Sequence, residues 1–464
     1  MFFWKRFGSR CRLKIQDTDL ITFEEALASS RSQMVERFSK HVSPIEARIF
    51  KLLNTDKRFV KAEGIRIFDE QGEEYLDFTA GYGALCLGHN PAEVLAAVQQ
   101  AANLPTILSF YVGIHPLVGA LAENLHRILP GHPDISCFGS GGAEAVEIAL
   151  KTARASTGKK RLVYADWSYH GQSIGSLSVS GHTYKHYFEP LLPNCEHVPF
   201  GDLQALELKL RAGDVAAFIV EPVQAEAGCI IPPKGYLPGA QELCNKYDAL
   251  LILDEIQTGF GRTGRMFAAE HESVKPDIIV VSKALSAGVM PISAAVTNSE
   301  IWKKAYDQEN SWESLISTFR GNPKACAAAL KAMEILVRDR LVDHAKKMGE
   351  YTLQRLEELK AHNENIKAVR GIGLLLAIEL PSGKGGALAL SSWVISRMWN
   401  KHHIILGNYD HRQDILRLQP PLNVQKEDID RVIEALDEAC SKSGVSLALG
   451  AGVTALRRSL RPPK

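Results

Sequence analysis

The chain has 464 residues, 45% of them hydrophobic and 23% charged, and a formal net charge of +1. Those values exclude a fibrous or disordered chain and leave room for two packed domains. So small a net charge gathers no polyanion, so nucleic acid is excluded as the expected partner, and no run of eighteen apolar residues is available to span a bilayer.

The N-terminus, MFFWKRFGSRCRLK, is basic and free of acids up to Asp17. It reads as a poorly ordered tail rather than a transit peptide or a membrane-surface helix, because four apolar residues and a glycine make a weak anchor. Thr22 to Val42 and Pro44 to Leu53 have helical spacing, and Phe59 to Phe78 carries two strand-like runs split by Glu70-Gln71-Gly72. Asn90-Pro91 opens a helix through Ala102, and Leu117 to Leu129 predicts a second. Short apolar runs then alternate with helical segments: LVYAD, HVPF, AAFIVEP, ALLILDE, DIIVVSK and ISAAVTN, with Tyr236 to Tyr247 among the helices. That alternation predicts a mainly parallel sheet covered on both faces. From about Pro323 an alanine-rich helix leads into charged helices and the strands LLLAIEL and ILRLQPPL, the texture of a smaller α+β domain. Pro381 to Gly386 reads as a surface loop, and RRSLRPPK as a low-complexity tail.

Eight cysteines, Cys11, Cys86, Cys137, Cys195, Cys229, Cys244, Cys326 and Cys440, are scattered without a CxxC pair. They suit free thiols in a reducing compartment better than a disulfide or zinc framework, so the expected location is the cytoplasm and no metal is expected.

The densest chemistry lies between Ala249 and Leu285. One apolar run delivers Asp254 and the next delivers Ser282-Lys283. In an open parallel sheet such strand ends face the ligand crevice, so the acid and the amine can address one small molecule. A lysine at a strand end is ordinarily solvated. Here an apolar strand before it and the small-residue turn ALSAG after it would desolvate the amine, lower its pKa and leave it nucleophilic. A buried carboxylate needs a partner, and the protonated nitrogen of a pyridine ring is one. This lysine and acid are what pyridoxal phosphate requires of a protein. Gln257 could hydrogen-bond the ring's phenolic oxygen, and Ile256 could pack on the ring. The turn Gly139-Ser140-Gly141-Gly142-Ala143-Glu144 opens a helix whose amides could hold a phosphate, although glycine before a helix is often only a turn. Tyr169-His170-Gly171 offers an aromatic ring that could stack on a cofactor or merely pack on the sheet.

Together the motifs GGAEAVEIALK, YHG, VEPVQAEAG, LILDEIQTGFGRTG, DIIVVSKAL and TFRGNPKACAAAL resemble the class III aminotransferases, pyridoxal-phosphate enzymes of fold type I. The resemblance runs from about Phe59 to Leu436. CLGHNP, HVPFGDL and SKALSAGVMPISAAV look most like putrescine and related amine aminotransferases. It implies an α/β fold with a large seven-stranded-type sheet. The expected division is an N-terminal extension over 1–40, a segment over 41–90 that contributes to the small domain, a large domain over 91–335 and a small C-terminal domain over 336–464.

Carried to matching positions, the resemblance makes Lys283 the Schiff-base lysine, Asp254 the pyridinium partner and Gln257 the contact to the ring oxygen. Tyr169 is the stacking ring, with His170 and Ile256 also at the cofactor. The phosphate falls on Gly141, Gly142 and Ala143, and on Thr318 of a neighbouring subunit, which implies a homodimer with shared sites. Arg417 matches the arginine that grips the substrate carboxylate, and Glu226 the acid that neutralises it when an amine without a carboxylate enters, with Glu221 in support.

Three departures stand out. Gln172 replaces an arginine after the HG pair, which removes a binder for a distal carboxylate. Gly141 replaces a serine in the phosphate turn. Arg320 replaces a glycine two residues after Thr318, either to reach an anion across a dimer or as a surface arginine. Tyr82, Leu85 and Trp167 are expected at the pocket wall or in ordinary core packing. The expected reaction is a ping-pong transfer of an amino group from a terminal amine or diamine to a 2-oxo acid, 2-oxoglutarate or pyruvate. The alternatives are amination of an aldehyde in secondary metabolism, or a decarboxylase, racemase or aminomutase reaction on the same scaffold.

Overall fold

A computed structural model describes residues 20–107, 113–307, 311–315, 317–381 and 387–441. The basic N-terminal tail with Cys11, most of the Pro381 to Gly386 loop and the RRSLRPPK tail lie outside the described residues.

Residues before Phe59 belong to a unit of their own. Its helices are Phe23–Leu27, Arg31–His41 and Pro44–Leu53. The single helical pattern from Thr22 to Val42 is thus broken in two. The cause is Ser30, whose hydroxyl accepts from the amide of Gln33 at 3.3 Å while Gln33 Oε1 accepts from the amide of Ser30 at 3.0 Å, a capping box that starts a new helix.

In the second unit, β1 (Phe59–Glu63), β2 (Arg66–Asp69) and β3 (Glu74–Asp77) form an antiparallel meander, with the β2–β3 turn at Glu70-Gln71-Gly72 as the sequence predicts. The central sheet holds β4 (Ile135–Gly139), β5 (Arg161–Ala165), β6 (Cys195–Val198), β7 (Val215–Val220), β8 (Leu250–Asp254), β9 (Ile278–Val281) and β10 (Ser293–Thr297), in the order β4-β10-β9-β8-β7-β5-β6. Strands β5 to β9 pair in parallel, and β10 runs antiparallel to both of its neighbours.

Period-two alternation explains why these strands read as unbroken apolar runs. Val163, Phe218, Val220, Leu251 and Leu253 enter one core with the helices Leu203–Leu210 and Tyr236–Lys246. Leu162, Ala217, Ile219 and Ile252, one residue out of phase, enter a second core with the helix Gly142–Thr157. The sequence leaves β4 unpredicted because ISCFG is short and its apolar run is interrupted by Ser136.

A further sheet, in the order β11-β12-β15-β14, comprises β11 (Ala368–Ile372), β12 (Leu375–Glu379), β14 (Gly407–Asn408) and β15 (Ile415–Leu418). Between them in sequence, β13 (Ile404–Ile405) leaves this sheet and pairs in parallel with β3, tying the C-terminal chain to the first meander. Arg417 lies on β15 opposite Ala377 and Gly407.

Candidate active site

The C-terminal ends of the parallel strands deliver the site. Tyr169 and His170 follow β5, Glu221 follows β7, Asp254 ends β8, and Ser282-Lys283 follows β9. With Gly142, Ala143, Gly171, Gln172, Ile256, Gln257 and Thr258 they line a cavity of about 310 Å³. Gly141, Thr318, Arg417 and Glu226 are not among its lining residues.

Asp254 is buried. Its Oδ1 accepts from the amide of Ile256 at 3.0 Å, and its Oδ2 meets His170 Nδ1 at 2.7 Å. A carboxylate only accepts, so this Nδ1 carries the proton, and the buried Nε2 of His170 has no partner. The His170 amide in turn donates to Ser180 Oγ at 2.9 Å, which holds the backbone that carries the imidazole.

Lys283 has φ +38°, in the left-handed region that a side chain adopts only when its surroundings impose it. Its Nζ donates to Gln257 Oε1. Burial lowers the amine's pKa, while the carboxylate of Glu226 pulls it back up. Glu221 is displaced the other way: burial, and then the charge of Asp254, push its carboxyl well above the ordinary range. It accepts from the amide of Tyr169 at 2.9 Å. The nearby Asp254 thus disfavours a second negative charge on Glu221 at this end of the cavity.

The helix Gly142–Thr157 begins at the cavity with Gly141 as its N-cap and no side-chain cap, so its first amides are open to an anion. Glu144 instead folds back to accept from the amide of Ser140 at 2.7 Å. A side chain on Gly142 would put its Cβ 3.0 Å from Ile256 Cδ1, so Ile256 would have to give way. Tyr169 is half-buried and meets the His182 ring edge-on at 5.1 Å. Burial and the neighbouring His411 push His182 down to about 3, so that wall is uncharged. Gln172 donates to Tyr184 Oη, a neutral pair where the resemblance leads one to expect an arginine.

A second constellation is built from distant segments. Arg417, 1% exposed, pairs through Nη2 with Glu226 Oε2 across 191 positions of sequence. Its guanidinium lies 4.4 Å from the centre of the Tyr409 ring and 4.8 Å from that of Tyr82. Glu226 Oε2 also accepts from the amide of Asp410 at 3.2 Å. Burial alone would raise the Glu226 pKa, but Arg417 holds it below the ordinary range. Tyr409 and Gln419 are site residues that sequence reasoning missed. Gln419 carried a signal, a polar residue directly after the buried strand ILRL. Thr318 is exposed, Trp167 is 48% exposed, and neither lines the cavity.

Known proteins share this sequence pattern and fold. The family model "Aminotransferase class-III" matches residues 53–440. Aminotransferase PigE of Serratia sp. is 34% identical over 460 residues, covering 89% of this chain and 54% of PigE, so the chain spans about half the length of that relative. The solved ornithine aminotransferase of Toxoplasma gondii ME49 superposes with a TM-score of 0.80 at 31% identity, covering 94% of this chain and 99% of that one. A transaminase from the marine bacterium Virgibacillus gives 0.79 at 28% identity, covering 89% and 99%. The chain belongs to the class III aminotransferases, which are α/β enzymes of fold type I. Their cofactor is pyridoxal phosphate.

The residues present suit that cofactor. An uncapped helix N-terminus can take a phosphate, Asp254 can take a ring N–H, and the buried amine of Lys283 opens on the same cavity. Among the described residues no cluster of His, Cys, Asp or Glu could hold a metal ion, and no helix is long and apolar enough to cross a membrane.

Proposed function

We propose that this aminotransferase moves an amino group from a terminal amine or diamine, putrescine-like in length, to a 2-oxo acid. The observation that carries the reading is the buried Arg417–Glu226 pair, set against the neutral Gln172–Tyr184 pair. An arginine already neutralised by an internal carboxylate costs nothing when an amine without a carboxylate enters, whereas a stranded charge would be penalised. When a 2-oxo acid enters, its carboxylate replaces Glu226 on the guanidinium. The absence of a cation at Gln172 disfavours donors with a distal carboxylate.

In this reading Gly141, Gly142 and Ala143 hold the phosphate of pyridoxal phosphate with their amides, assisted by Thr318 of a partner subunit in a cytoplasmic homodimer. Asp254, oriented by His170, would hold the proton on the ring nitrogen, and Tyr169 and Ile256 would pack on the ring. When bound, pyridoxal phosphate supplies an electron sink for the substrate carbon. Lys283 Nζ would take the proton from that carbon and deliver it to the cofactor's carbonyl carbon rather than back to the substrate, a transfer that a lowered amine pKa favours. Gln257 Oε1 steers the amine through its hydrogen bond.

The test is the change in cofactor absorbance when the purified holoenzyme meets amines and amino acids one at a time without an acceptor, beside a Lys283→Ala control. Conversion by putrescine or cadaverine, absent in the control, supports the proposal. Conversion by glutamate or alanine alone would overturn it in favour of an enzyme that aminates an aldehyde.

A further inference from the structure

Gln419 follows β15 two residues beyond Arg417, and its side chain is fully buried. Its Oε1 accepts from Gln257 Nε2 at 3.3 Å and from Arg417 Nη1 at 3.4 Å. A guanidinium only donates, so the oxygen must face Arg417 and the orientation of the amide is fixed. The Nε2 then points toward Gly83, where a Cβ would come within 2.4 Å of it. The backbone of Gln419 is pinned as well, its amide donating to the carbonyl of Phe78 at 2.8 Å. From this carbonyl oxygen one line of hydrogen bonds runs through Gln257 to Lys283 Nζ, and another through Arg417 to Glu226.

We propose that Gln419 is the positioning residue that sets the amine end and the carboxylate end of the site together. The inference rests on the aminotransferase reading above. Gln257 can present either its oxygen or its nitrogen to Lys283, and only the oxygen suits an amine that donates. By taking the Gln257 N–H, Gln419 leaves the oxygen facing Lys283. Without Gln419 the amide is free to turn over, which sets N–H against N–H. The same oxygen fixes the plane of Arg417, so that Nη2 faces Glu226 or an incoming carboxylate.

Two variants of the holoenzyme separate this from a packing role. Calorimetry gives the dissociation constant of valerate, a carboxylate with no amino group to react. Absorbance gives the first-order rate of cofactor conversion at saturating amine. Gln419→Leu should raise the valerate constant about tenfold and slow conversion about tenfold, with little change in the KM for the amine. Gln419→Glu keeps an acceptor for Gln257, so its rate should stay within about twofold of wild type. Its added charge occupies Arg417, so valerate should weaken at least as much as in the leucine variant.

A leucine variant with both wild-type values would overturn the proposal. So would a glutamate variant that slows as much as the leucine variant, since the acceptor would then be irrelevant. If the leucine variant does not fold, the glutamate variant decides alone: an intact rate with weak valerate binding supports the proposal, and equal losses of both overturn it. A wild-type protein that binds valerate but is converted by no donor fails the aminotransferase reading instead, and the dissociation constants still test Gln419 at Arg417.

Discussion

The two ends of the site are made in different ways. Lys283 and Asp254 sit at the ends of adjacent parallel strands of one sheet, close in sequence, and their environment is set by the sheet that carries them. Arg417 and Glu226 come from β15 and from the loop after β7, and meet only because a second sheet is folded against the first. The first end is a fixed geometry built around a desolvated amine. The second is a buried ion pair drawn from two segments distant in sequence. The two ends are thereby built separately, with Gln419 hydrogen-bonded toward both.

The sharpest way to break this contrast is Glu226→Gln. It leaves Arg417 charged and unpaired whenever the donor lacks a carboxylate, so kcat/KM for such an amine should fall about a hundredfold relative to glutamate. Steady-state rates for the two donors measure the ratio, and an unchanged ratio would remove Glu226 from recognition. A smaller effect is expected from Gly142→Ala, whose Cβ meets Ile256 Cδ1 at 3.0 Å and Cγ2 at 3.3 Å. Cofactor affinity, followed by release on dilution, should weaken about tenfold. Valerate binding at the other end should not move.

The smallest effect tests whether the recognition end depends on structure outside the cavity. Asp77, at the end of β3, accepts from the amide of Thr79 at 2.8 Å and of Ala80 at 3.0 Å, and meets His89 Nε2 at 2.9 Å. This fastens the loop that brings Tyr82 over Arg417. Burial opposes its charge, but the bonds from His89, Thr79 and Ala80 hold its pKa below the ordinary value. Because the folded pKa lies below the unfolded one, the stabilisation is complete above about pH 4 and is lost as pH falls through the folded value. Asp77→Asn should therefore cost about 1–2 kcal/mol at pH 7, measured by urea unfolding, and the gap to wild type should close as pH falls through the folded pKa of Asp77.

Much of the fold was legible because its signals are local. The parallel strands showed as short apolar runs, since both faces of the sheet are buried, and the β2–β3 turn showed in Glu70-Gln71-Gly72. The break at Ser30 was missed although its capping pattern is written in Ser30 and Gln33, because apolar spacing continues across it. That β10 runs antiparallel is invisible in ISAAVTN, since direction depends on the neighbour a strand finds.

The sequence by itself determined the class of enzyme, through its motifs, and the placement of Asp254 and Lys283 at strand ends, because acid, amine and glycine turn lie at strand ends and helix starts where local pattern fixes position. Only the tertiary structure decided that Glu226 closes on Arg417, that His170 stands behind Asp254, and that Gln419 joins Gln257 to Arg417. Those contacts depend on how β15, β5 and the loop after β7 are packed together, and the partner of a buried polar group is chosen by whatever donor or acceptor the fold carries to it.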